Sequence, residues 1–113
     1  MKIYIFDIDG TICTVSNTNY LESKPLISRI NVINKLYEDG NTIIFQTARG
    51  MGSSGNNSAE ASKKWQAFTV LQLSNWGVKY HQLFFGKPAG DIYVDDKGKN
   101  DIEFFADYPI IDR

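Results

Sequence analysis

Two aspartates one residue apart, Asp7 and Asp9, close the first apolar run in Phe6-Asp7-Ile8-Asp9-Gly10-Thr11. Carboxylates at the exit of a strand that should end in a sheet core are costly unless a cation or a hydrogen-bond network holds them. Further polar residues follow other apolar runs. Thr47, with Ala48 and Arg49, comes after Ile43-Ile44-Phe45-Gln46; Asp95 and Asp96 come after Ile92-Tyr93-Val94; Lys87 stands in Gly86-Lys87-Pro88. Gathered at one sheet edge, so many carboxylates would repel one another strongly. A hard divalent cation resolves this, and partly hydrated Mg2+ on two or three carboxylates is the usual solution. A dianionic phosphate joining the site would want a hydroxyl and a lysine as well. The inventory is that of phosphoryl transfer.

The elements that must position these groups alternate along the chain. Lys2–Phe6 reads as a buried strand, and Pro25 opens a helix with Leu26, Ile27, Ile30, Ile33, Leu36 and Tyr37 at spacings of three and four, closed by Asp39-Gly40. Thr42–Phe45 is a second strand. A helix follows over Ala59–Trp76, with Ala61, Trp65, Phe68, Leu71 and Trp76 on one face and Gly77 as its stop. Gln82–Phe85 and Asp91–Val94 read as short strands, Asp101–Phe105 as a brief helix and Pro109-Ile110-Ile111 as an edge strand. The order β-α-β-α-β-β-α-β implies an α/β fold, a Rossmann-like doubly wound parallel sheet. Ligands of such sheets gather beyond the carboxyl ends of the strands.

At 113 residues the chain is one domain, 1–113. Its net charge of −1 and the lack of any basic run give nucleic-acid or anionic-membrane binding little support. It enters a strand directly after Met1 and holds no apolar stretch able to span a bilayer, so no signal peptide and a cytoplasmic location are expected. The single cysteine, Cys13, excludes an internal disulfide and fits a reducing compartment.

Asp7-Ile8-Asp9-Gly10-Thr11 resembles the first motif of the haloacid dehalogenase (HAD) superfamily of phosphatases. Thr47 matches its second motif, Lys87 its third and Asp95-Asp96 its fourth, in order and across nearly the whole chain. The resemblance implies that Asp7 is the nucleophile, forming an aspartyl-phosphate, and Asp9 the general acid and base. It further implies that Thr47 and Lys87 hold phosphoryl oxygens, with Gly10, Thr11, Ala48 and Arg49 on the substrate side. Mg2+ would sit on Asp7, the Asp9 carbonyl and Asp95, with Asp96 supporting the site behind it through Lys87, although the two aspartates could exchange these roles. The gaps after Ile12 and after Ala48 leave no room for an inserted cap domain. A capless HAD-like domain has an open site, suited to a large substrate or to closure by a homo-oligomer.

The wording Thr47-Ala48-Arg49, Gly86-Lys87-Pro88 and Tyr93-Val94-Asp95-Asp96-Lys97 is similar to small HAD phosphatases of bacterial capsule and surface-polysaccharide synthesis. A small phosphorylated sugar or related building block is the substrate this implies. Two other classes compete: a receiver-like phosphoacceptor domain, and a catalytically inactive HAD-like binding subunit. Arg49 reads either as a substrate contact or as a surface arginine. The segment Gly50–Ser58 reads as too flexible to pack, either a mobile substrate loop or a tolerated insertion. His81 reads as a surface residue, and Trp65, Phe68 and Trp76 as core.

Overall fold

Alternating apolar residues in Ile3-Tyr4-Ile5-Phe6 make the first strand, β1 (Ile3–Phe6), of a parallel sheet in a computed structural model that describes residues 1–16 and 19–108. A short 3-10 turn at Tyr20–Glu22 precedes α1 (Ile27–Glu38). Pro25 lies two residues outside that helix. Ile30, Ile33 and Leu36 give α1 a buried stripe at every third position, and Gly40, at φ +97°, ends it in the left-handed region.

β2 (Thr42–Thr47) leads to α2 (Ser58–Asn75). The Asn57 side chain accepts from the Glu60 amide and caps that helix, and Gly77, at φ +71°, closes it. β3 (Gln82–Phe85) follows, and the chain ends its described course in α3 (Asp101–Ala106).

The sheet runs β1-β2-β3, all parallel, with Phe6 beside Phe45 and Thr47 beside Phe85. That register brings the ends of β1, β2 and β3 to one edge, where Asp7, Thr47 and Lys87 emerge. On one face Phe6, Ile43 and Phe45 pack with Ile30, Ile33, Leu36, Leu73 and Val78 into a single core. Phe104 of α3 meets Phe6 edge-on at 5.4 Å. The other face is bare at Ile3, Ile5 and Phe84, which are 68%, 63% and 50% exposed. Parallel sheets are ordinarily covered on both faces.

Two sequence expectations change. Asp91–Val94 forms no strand: Ile92 and Val94 are 82% and 94% exposed. The Tyr93 hydroxyl donates to the Pro88 carbonyl at 2.6 Å and accepts from the Gly90 amide at 3.0 Å, folding the segment onto itself. The described strands lie in the order β1-β2-β3. On α2, Leu71 points outward and Leu73 inward, and the buried stripe includes Thr69 and Gln72. The expected strand Pro109-Ile110-Ile111 lies outside the described residues. No helix among the described residues is long and apolar enough to cross a membrane.

Candidate active site

Asp7 stands at the carboxyl end of β1 with a third of its side chain exposed. The Lys87 ammonium lies 3.7 Å from its Oδ1, and the Thr11 hydroxyl donates to its Oδ2 at 3.4 Å. Burial raises the Asp7 pKa above the ordinary 3.8; the Lys87 charge and the Ile8 amide oppose that rise. Lys87 is held from both ends. Its amide donates to the Thr47 carbonyl at 3.2 Å, and its ammonium lies 4.4 Å from the Tyr93 ring centre. Thr47 is buried, and its hydroxyl accepts from the Arg49 amide at 3.1 Å. A nucleophile-type carboxylate, a cation and two hydroxyls thus share one sheet edge.

The turn after β1 is closed by its own backbone. The Gly10 amide donates to the Cys13 carbonyl and the Thr11 amide to the Ile8 carbonyl, at 2.9 and 3.0 Å. Gly10 has φ +84°, so glycine suits the turn, and both amides are engaged within it. Ala48 is half-buried and its carbonyl accepts from the Met51 amide. Cys13 lies beneath Asp9, 3.5 Å from Oδ1, and burial followed by the Asp9 charge pushes its thiol up to about 12.

Arg49 departs from both sequence readings. It is neither at the surface nor on the substrate side, since its side chain has no exposed area. Nε donates to Asp9 Oδ2 at 2.9 Å and Nη2 to Asp9 Oδ1 at 3.0 Å, a bidentate fork. Nη1 donates to the Thr69 hydroxyl at 3.2 Å. The guanidinium lies 4.7 Å from the Tyr20 ring centre, and that ring stands edge-on to Trp65 at 4.6 Å. The Tyr20 hydroxyl accepts from the Gly50 amide at 3.1 Å, and its carbonyl accepts from Gln72 at 2.9 Å.

A search for apolar stripes does not find Tyr20, Thr69 or Gln72. For Thr69 and Gln72 the signal is a polar side chain at an inward position of α2; Tyr20, in the 3-10 turn, offers none. The root of the Gly50–Ser58 segment is also better packed than its composition suggested: Met51 is 2% exposed, and its carbonyl accepts from the Asn56 amide at 2.7 Å. His81 is exposed as expected, yet its Nδ1 accepts from the Ile43 amide.

Among the described residues the fourth-motif aspartates form no metal-binding cluster with Asp7 and Asp9. Asp95 and Asp96 lie in an exposed loop, where the Lys97 amide and then the Asp96 side chain hold the Asp95 pKa down. Among the described residues no three His, Cys, Asp or Glu side chains lie close enough to hold a metal ion. Both Asp9 oxygens accept from Arg49, whereas Asp7 faces the Lys87 ammonium. As arranged, these residues do not fit Mg2+, which wants several oxygen ligands in near-octahedral geometry.

No protein-family model matches the sequence, and neither does any curated protein. Two solved structures are similar. A structural-genomics target from Vibrio cholerae shares 26% identity, with a TM-score of 0.84 over 92% of this chain and 87% of that one. D,D-heptose 1,7-bisphosphate phosphatase from B. bronchiseptica, crystallised with magnesium and phosphate, shares 19% identity, with a TM-score of 0.54 over 80% of this chain and 52% of that one. The chain therefore shares its parallel α/β fold with both structures.

Proposed function

We propose that the chain is a phosphatase acting on a small phosphorylated substrate, with Asp7 as its nucleophile. The observation that carries this reading is the Asp7–Lys87 pair, 3.7 Å apart at the open carboxyl edge of a parallel sheet. An Asp7 oxygen attacks phosphorus as the P–O bond to the leaving group breaks. Lys87 and Thr47 balance charge on the transferring oxygens, and Asp9 returns a proton to the leaving alkoxide. Water then attacks phosphorus, giving a proton back to Asp9, as the bond from the Asp7 oxygen to phosphorus breaks, which releases phosphate and restores both carboxyl groups.

The substrate class we favour is a sugar phosphate or related building block of a surface polysaccharide, handled in the cytoplasm. Its support is the motif wording and the D,D-heptose 1,7-bisphosphate for which the similar B. bronchiseptica phosphatase is named. An open edge without a cap domain, as the sequence implies, would also suit cover by a second copy of the chain. Magnesium remains part of the proposal as a requirement to be measured. Asp95 and Asp96 can serve it only if the 91–96 segment takes a different place.

The test is phosphate release across sugar phosphates, amino-alcohol phosphates, nucleotides and phosphopeptides, with Mg2+ and with EDTA. Turnover of sugar phosphates that EDTA abolishes and Mg2+ restores is expected. A stable phosphoprotein without turnover would favour the receiver reading. Silence on every class, with Mg2+ present, would leave a binding subunit.

A further inference from the structure

Asp9 and Arg49 form an ion pair in the interior, with the Arg49 side chain wholly buried and that of Asp9 22% exposed. Well-packed apolar residues would serve stability as well or better in such a place. The pair therefore asks for a reason beyond packing. A carboxylate has about four lone-pair sites. Arg49 Nε takes one on Oδ2, while Arg49 Nη2 and the Cys13 thiol both point at Oδ1. Among the described residues Oδ2 accepts from Arg49 alone, which leaves it the freer oxygen.

Arg49 is itself fixed from three directions: by the Thr69 hydroxyl on α2, by the Tyr20 ring above it, and by its own amide on Thr47. We propose that Arg49 is a positioning residue, which sets the rotamer of Asp9 and ties it to α2 and to the Tyr20 turn. This rests on the phosphatase reading, in which Asp9 handles the proton of the leaving group. On this account the strand-end residue 49 touches no substrate, and its influence on turnover passes entirely through Asp9. The Tyr20 turn and the root of the 50–58 segment become parts of the aiming device, because Tyr20 also receives the Gly50 amide.

Lysine keeps the charge of arginine but lacks its planar fork, so Arg49→Lys removes aim while retaining attraction. In a sugar-phosphate assay, Arg49→Lys should lower kcat by about 10²-fold with KM within about twofold, the size of effect that a small misplacement of a reacting group produces. Thr69→Val, which removes only the 3.2 Å hydroxyl contact, should lower kcat in the same sense but less. It also serves if Arg49→Lys does not fold.

The deciding measurement is the cycle with Asp9→Asn. Once Asp9 cannot act, Arg49→Lys and Thr69→Val should cost nothing further in kcat. Additive losses, or a rise in KM with kcat unchanged, would overturn the positioning role while leaving the phosphatase reading intact. An active Asp7→Asn would instead remove the reading itself, and this inference with it.

Discussion

Asp7→Asn should reduce phosphate release by about 10⁴-fold or more, the scale seen when a covalent nucleophile is removed. The same substitution should also make the protein more stable at neutral pH when metal is chelated. Burial, the largest influence, raises the Asp7 pKa above 3.8, and Lys87 only partly offsets it. The folded chain therefore binds that proton more tightly than the unfolded chain does. Its stabilising effect is complete below the unfolded value and is lost as pH rises through the raised folded one. Above that window the ionised carboxylate weighs against the fold, and a neutral amide does not. Melting curves of both proteins in EDTA, from about pH 3.5 to 8, should diverge in favour of Asp7→Asn as pH rises. A variant that melts lower than the parent at pH 7 would contradict the burial argument, whatever its activity.

Gly50→Ala should be the most damaging conservative change to the fold. Gly50 has φ +75°, a conformation that costs an L residue about 1–2 kcal/mol. Its new methyl would lie 2.7 Å from Trp65 Cδ1 and 3.1 Å from Ala61 Cα, so the ring and α2 must both give way. Overpacking of this kind costs about 1–3 kcal/mol. Together these remove about 2–5 kcal/mol from a domain whose whole stability is of the order of 5–15 kcal/mol. In a chain of this length the melting temperature should fall by about 10–30 °C. Trp65 would be pushed off Tyr20, so turnover below the melting range should drop as well. A melting temperature within about 2 °C of the parent would show that Trp65 moves aside freely.

Some of this was open to a reader of the sequence. Apolar periodicity marks α1 through Ile30, Ile33 and Leu36, and the short, β-rich runs 42–45 and 82–85 fall within observed strands, the first extended to Thr47. The Asp7, Thr47 and Lys87 cluster follows from those strands being parallel and in register. Other features were hidden by the same logic. A polar residue is read as surface, so sequence alone does not place Thr69 and Gln72 on the inward stripe of α2 and puts Leu71 there instead. They are buried because they bond to Arg49 and to the Tyr20 carbonyl, partners distant in sequence. Arg49 stayed ambiguous because nothing local shows that Asp9 will accept its fork. The run Ile92-Tyr93-Val94 has strand composition, but a strand exists only with a neighbour, and composition names none.

The Asp9–Arg49 pair also limits how this sequence can drift. Losing either member first strands the other's charge in the interior, at a cost of about 3–5 kcal/mol. Few lineages survive such an intermediate on a stability of this size. Positions 9, 49 and 69 should therefore change as a set across aligned relatives, whereas the exposed Val70 and Leu71 beside Thr69 wander independently. One geometric contact becomes a rule of inheritance.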